Sequence, residues 1–145
     1  MSKDLDRDLP LYRELDHTAD LAIEVVAATR RELFRRAALA LGALLVEQTN
    51  VIGAVSREFE VGGQDDIELM HDLLTELLQL FAADGFIWCD AVVEERAAAL
   101  KITLQGESFE PNRHTARGEI KAVTYHQMTV ENAGNEWRAR IIFDV

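Results

Sequence analysis

The chain has 145 residues, which is enough for one domain with a buried core and too few for two well-packed domains. With 48% apolar and 28% charged residues, its composition is that of a globular protein. The 26 acidic and 15 basic side chains give a formal net charge of −11. This charge disfavours direct binding to nucleic acid and favours a cationic protein surface or a metal ion as partner.

The remaining compositional features concern disulfides and membranes. A single cysteine, Cys89, excludes an internal disulfide and a cysteine-based metal cluster within one chain. No signal peptide opens the sequence, and the longest run of apolar residues with glycine, AALALGALLV, is too short to cross a bilayer. We therefore expect a soluble, cytoplasmic protein without a membrane partner.

The first segments combine a charged tail with two strands. MSKDLDRDLP mixes charges without an apolar period, which predicts a flexible tail over residues 1–10 and a single domain over residues 11–145. LYRELD and DLAIEVV then read as strands. In the second of these, Leu21 and Ile23 share one face, and Asp20 lies on the opposite face.

Two amphipathic helices follow, with a strand predicted between them in REFEV. Thr29 and Glu32 have the spacing of a capping box, so a helix is expected to begin there, with its arginines forming a solvated face or meeting an acidic partner. Asp65 is predicted to cap the second helix, with Glu68 three residues later. Gly85 is predicted to end that helix in the left-handed conformation.

From Phe86 onward every segment reads as extended. The strands are expected in FIWCDAVVEE, ALKITLQGE, EIKAVTYHQMTV and WRARIIFDV, with ENAGNE as the last turn. The sequence therefore predicts an α+β fold in which two helices pack on one face of a largely antiparallel sheet.

The two ends of this domain carry acidic residues. Alternation along the last strand turns Ile141, Phe143 and Val145 inward and sends Asp144 to the opposite face, next to the terminal carboxylate. If the first and last strands are neighbours, Asp20 joins Asp144. Oxygen ligands suit a hard cation, and we favour calcium over magnesium or zinc. The alternative is that both residues are solvated acids at strand ends.

Other polar residues have plainer interpretations. His71 and Asp72 are adjacent in the second helix and point about 100° apart, so solvent exposure is expected. His114 falls in a loop, where surface exposure is also expected. Lys121, on a strand, is either a surface ion pair or an anchor for a partner or a phosphate.

Four motifs, LDHTADLAIEV, TRRELFRRAALAL, EIKAVTYHQMTV and RIIFDV, resemble those of the archease family. They bracket the domain, whereas residues 51–117 match mainly in layout. The resemblance implies an archease fold and a role as activator of an RtcB-type RNA ligase. Such ligases use GTP to join RNA 3′-phosphate or cyclic-phosphate ends to 5′-hydroxyls in tRNA splicing or RNA repair. The chain would promote guanylylation and multiple turnover of the ligase without being the catalyst.

The resemblance also assigns roles to individual residues. It implies that Asp20 and Asp144 bind calcium, or another divalent cation, with a contribution from the main chain of Val145. Lys121 matches the family's functional lysine. In the DHTAD segment, His17 and Thr18 are expected to fix the loop through hydrogen bonds, and Asp16 either to cap it or to support the ligands.

Two departures from the family pattern, Ala28 in place of glycine and Val145 in place of isoleucine, do not touch the proposed metal-binding side chains. Two other functions remain open. One is a small metal-dependent hydrolase that uses Asp16, His17 and His126 around the same cation. The other is a general chaperone, for which a large exposed apolar patch would be expected.

Overall fold

The computed structural model describes residues 9–15 and 20–145. Most of the predicted N-terminal tail, residues 1–8, lies outside these ranges, as do Asp16, His17 and Thr18. No helix in the described ranges is long and apolar enough to cross a membrane.

The secondary structure elements follow the predicted order. They are β1 (Arg13–Leu15), β2 (Leu21–Ala27), α1 (Arg30–Leu45), a short 3₁₀ helix (Gln48–Asn50), β3 (Val55–Gly62), α2 (Asp66–Asp84), β4 (Phe86–Arg96), β5 (Ala99–Ser108), β6 (Ala122–Ala133) and β7 (Glu136–Asp144). The α+β prediction is confirmed, with one refinement. The described strands form two antiparallel sheets, of order β1-β2-β7-β6 and β3-β5-β4.

Local capping signals set the helix boundaries as predicted. The Thr29 side chain accepts a hydrogen bond from the amide of Glu32 at 3.2 Å, and Asp65 Oδ1 accepts one from the amide of Glu68 at 2.8 Å. Gly85 ends α2 with a φ of 66°, in the left-handed region that glycine adopts without strain.

The two helices join the two sheets. α1 packs on β2 and β7 of the first sheet and on β4 of the second, while α2 packs mainly on β6 and also reaches β3, β4 and β5. The largest buried side chain is Trp88 on β4, whose indole Nε1 donates a hydrogen bond to the main-chain oxygen of Ala38 in α1 at 2.9 Å. One apolar core therefore lies between the helices and the inner faces of both sheets.

Arginines at the start of α1 are bound within the fold, so the predicted solvated face is wrong for three of them. Arg30 forms ion pairs with Asp66 of α2 and with Glu95 of β4. Arg35 pairs with Asp90 of β4 at 2.8 Å. The buried Arg36 donates hydrogen bonds to the main-chain oxygens of residues 9 and 10. These contacts bind α1 to its neighbours, which sequence periodicity alone does not reveal.

Candidate functional site

Two acidic residues from opposite ends of the chain lie at the same end of the first sheet. β2 and β7 are antiparallel neighbours in which Leu21 is paired with Phe143. Asp20 directly precedes Leu21 and Asp144 directly follows Phe143, so the same register sets the two aspartates opposite each other. The pair Ile23 and Ile141, both fully buried, fixes that register, because a slip of one residue would turn the apolar side chains out of the core.

Lys121 directly precedes the third strand at this end, β6. β6 is the other neighbour of β7, and Ala122 is paired with Asp144. The amide of Lys121 donates a hydrogen bond to the main-chain oxygen of Asp144 at 2.7 Å. Lys121 and Asp144 are both exposed, and Asp20 is half-buried. Asp20, Asp144 and Lys121 therefore come from three adjacent strand ends.

Val145 differs from its predicted orientation. Alternation along β7 predicted an inward side chain, but β7 ends at Asp144 and Val145 is 45% exposed. The alternation of the strand does not continue to Val145, so this side chain does not extend the core. The terminal residue thus stands beside the carboxylate of Asp144 in solvent.

The donor chemistry at this end fits a hard cation. It consists of the carboxylates of Asp20 and Asp144 and the main-chain oxygen of Val145, without sulfur or imidazole from the described residues. Within residues 9–15 and 20–145, no group of three His, Cys, Asp or Glu side chains is arranged to hold a metal ion. The predicted set includes only two such side chains from the described ranges, and the supporting residues Asp16, His17 and Thr18 lie outside them.

A large bulge interrupts β6 beside this end. The register with β7 shifts between Thr124 and Thr129, so four residues of β6, 125–128, lie opposite the single residue Ile141. Gln127 has a positive φ of 52°. The bulge exposes residues 125–127 consecutively, so side chains do not alternate between the two faces of β6 there.

His71 of α2 supports the strand just before the bulge. Its Nε2 donates a hydrogen bond to the main-chain oxygen of Val123 at 3.1 Å. Its ring stacks on Tyr125 with centroids 3.8 Å apart and an interplanar angle of 6°. Only 18% of the His71 side chain is exposed, so the predicted solvent-exposed histidine is in fact a contact between α2 and β6.

A buried ionic cluster, which sequence reasoning missed, fixes the long connection from β5 to β6. The Glu107 carboxylate accepts hydrogen bonds from the amide of Ile52, from Arg113 and from His114 Nε2. Because the amide of Glu110 donates to His114 Nδ1 at 2.9 Å, the ring proton is on Nε2. His114 is 4% exposed, which corrects its predicted surface location.

The cluster also changes the ionisation of its acid. The hydrogen bonds from Arg113 lower the pKa of Glu107 to about 2, and the amide of Ile52 and His114 act in the same direction against the effect of burial. The paired Arg113 has a raised pKa, chiefly because of the same hydrogen bond. The only sequence signal was the adjacent Arg113 and His114 in one loop, and nothing in the sequence identified Glu107 as their acceptor.

The comparisons with known proteins agree with this architecture. A family model described as "Archease protein family (MTH1598/TM1083)" matches residues 12–145. Protein archease of Methanopyrus kandleri is 36% identical over 138 residues, covering 92% of this chain and 99% of that protein. Protein archease of Methanosarcina acetivorans is 34% identical over 139 residues, covering 92% and 95%.

Two solved structures share the fold. The solution structure of Methanobacterium thermoautotrophicum protein 1598 has a TM-score of 0.78 and 28% identity, covering 92% of this chain and 98% of that one. The crystal structure of an archease from Thermotoga maritima, described as a possible chaperone, has a TM-score of 0.59 at 21% identity, covering 90% and 94%. The fold is thus that of the archease-type α+β proteins. From the family model and these relatives, the chain belongs to the archease family.

The pKa of Glu107 predicts a dependence of stability on acid. Because its pKa is depressed in the folded state, its contribution is complete above the unfolded value near 4.5 and is lost as the pH falls toward 2. Replacing Glu107 by Gln should lower the free energy of unfolding at pH 7 by about 2 kcal/mol. It should also flatten the decline between about pH 5 and pH 2.

Urea unfolding at a series of pH values measures this effect. The matched control is Glu60→Gln, since Glu60 is an exposed acid on β3. Equal acid dependence in Glu107→Gln and wild type would show that the cluster does not carry the predicted linkage.

Proposed function

We propose that this chain activates an RtcB-type, GTP-dependent RNA ligase as a protein cofactor in tRNA splicing or RNA repair. The chain would act in the cytoplasm, and the ligase would remain the catalyst. The main support for the proposal is that Asp20, Asp144 and Lys121 lie together at one end of the first sheet. These residues match the family's functional motifs, and the chain belongs to the archease family.

A divalent cation, with calcium favoured, completes the proposed site. The carboxylates of Asp20 and Asp144 would hold it, with the main chain of Val145, and Asp16, His17 and Thr18 would support these ligands. The bound cation would supply positive charge that offsets the repulsion between the two aspartates. The side chain of Lys121, on the adjacent strand end, would contact the ligase.

The physical basis of activation is preferential binding. An activator shifts a conformational equilibrium only by binding one state better than the other. We propose that the acidic, cation-bearing end of the sheet binds the ligase near its nucleotide and metal centre. It would favour the conformation in which a ligase histidine takes the guanylyl group. The net charge of −11 supports approach to a cationic protein surface and opposes direct contact with RNA.

The activation itself can be measured directly. A substoichiometric amount of the chain, mixed with purified ligase, GTP and RNA ends, should raise ligase guanylylation and give product beyond one turnover per ligase. Lys121→Ala should reduce this gain about tenfold if the lysine contacts the ligase. The matched control is Lys101→Ala, on β5 of the other sheet.

Two results would contradict these expectations. If wild type leaves both guanylylation and the number of turnovers unchanged, the ligase-activator proposal is wrong. If Lys101→Ala and Lys121→Ala reduce activation equally, Lys121 has no special part in it.

Calorimetric titration with calcium tests the proposed ligands. Asp144→Asn should weaken calcium binding by about tenfold or more, or at least 1.4 kcal/mol, since it removes one of two carboxylate side chains from the site. Glu60→Gln, which removes one exposed acid from the other sheet, should bind like wild type. Unchanged affinity in Asp144→Asn would remove this residue from the proposed metal site.

The other functions have weaker support. A hydrolase would need His126 next to Asp16 and His17, and His126 is exposed on the β6 bulge. A general chaperone agrees with the description of the Thermotoga maritima relative, but the exposed large apolar side chains of the described ranges are spread over separate elements, at Ile52, Val55, Ile67, Val92, Tyr125 and Val145. Phosphoester hydrolysis and aggregation assays without GTP distinguish these alternatives from ligase activation.

A further inference from the structure

The outer face of the first sheet has a depression whose charged side chains are incompletely paired. Its volume is about 520 Å³, and it is lined by Leu15, Glu24, Thr129, Glu131, Arg138 and Arg140. The helices pack on the opposite face of this sheet, α1 on β2 and β7 and α2 on β6. Two acids and two arginines make the lining neutral in a strongly acidic protein.

The buried Nε of Arg140 lacks an acceptor among the described residues, and the carboxylate across from it binds two other arginines. Glu24 lies directly across from Arg140 in the β2–β7 register. However, one carboxylate oxygen of Glu24 accepts from Arg13 at 2.7 Å and the other from Arg138 at 3.3 Å. The buried Nε of Arg140 has no hydrogen-bond partner, and no ion pair of its guanidinium occurs within the described ranges. An unsatisfied buried charged donor is destabilising unless a ligand supplies the acceptor.

Glu131 is the complementary unpaired group. It lies across from Arg138 in the β6–β7 register, but Arg138 binds Glu24 and Glu136 instead. Glu131 is exposed and forms no hydrogen bond or ion pair with another residue in the part of the chain that the structure describes. Arg140 and Glu131 are diagonal neighbours across β6 and β7, yet they do not pair with each other.

The depression lies on the same face of β7 as Asp144 of the proposed functional end. Arg140 and Asp144 lie on the same face of β7, with Ile142 between them, and their Cα atoms are about 13 Å apart at the rise of an extended strand. Ile142 is fully buried, so a partner that contacts both places must span this distance along β7.

We infer that this depression binds an acid–base pair on the surface of the ligase, with the ligase carboxylate on Arg140 and the neighbouring ligase base on Glu131. The inference rests on the proposed function and specifies the chemistry of the partner's surface. A carboxylate matches the planar guanidinium in a bidentate geometry. The neutral lining fits a neutral pair better than it fits a phosphate, which Glu131 and the net charge both repel.

The test separates binding from activation. Affinity of the full chain for purified ligase is measured by calorimetry, at two salt concentrations, for wild type, Arg140→Gln and Glu131→Gln. Each substitution should weaken binding about tenfold, with less weakening at high salt. Controls are Arg96→Gln and Glu60→Gln, exposed charges on the other sheet, which should bind like wild type. Arg140→Gln should not lower the melting temperature, because this arginine makes no ion pair within the described ranges and its buried Nε has no hydrogen-bond partner.

Each other outcome counts against the inference. If Arg140→Gln and Glu131→Gln bind the ligase like wild type, the depression is not a docking site, and the proposed function stands. If wild type does not bind the ligase at all, the proposed function fails and this inference fails with it. If the chain alone binds fluorescent RNA, and only Arg140→Gln abolishes that binding, the depression is a phosphate site. If Arg140→Gln changes the oligomeric state, a second copy occupies the depression.

Discussion

The antiparallel pairing of β2 with β7 is the constraint on which the rest of the structure depends. It joins strands from opposite ends of the chain, and the buried pair Ile23 and Ile141 allows only one register. That register sets Asp20 opposite Asp144 on the outer face, while the inner face contributes to the core. A single hydrophobic alternation therefore determines both the packing and the position of the acidic strand ends.

Some charged residues are paired within this fold, and others are not. Arg30 and Arg35 bind α1 to its neighbours, and Glu107 fixes the connection that leads into β6. These charges are therefore paired within the fold. Arg140 and Glu131, by contrast, remain unpaired among the described residues on the outer face, where Glu24 and Arg138 bind other residues. In a protein of net charge −11, the charges that the fold does not satisfy are the better indicators of a partner.

Local signals in the sequence predicted much of the architecture. Features that depend on residues distant in sequence were not predicted. Thr29 and Asp65 cap their helices through hydrogen bonds within four residues, so spacing alone was enough to find them. The bulge in β6 has no comparable local signature. The burial of His114 and the stacking of His71 also depend on partners distant in sequence. The candidate acidic site was found because motifs at both chain ends resembled one family, and strand pairing then explained their proximity.

Paramagnetic relaxation by Mn²⁺ tests most directly whether the two chain ends share one cation. In NMR spectra of the labelled chain, substoichiometric Mn²⁺ should broaden the amide signals of Leu21, Ala122 and Val145 together, before those of β3 and β5. Asp144→Asn should reduce this broadening. Broadening at only one of these strand ends, or first in the β3-β5-β4 sheet, would contradict the account.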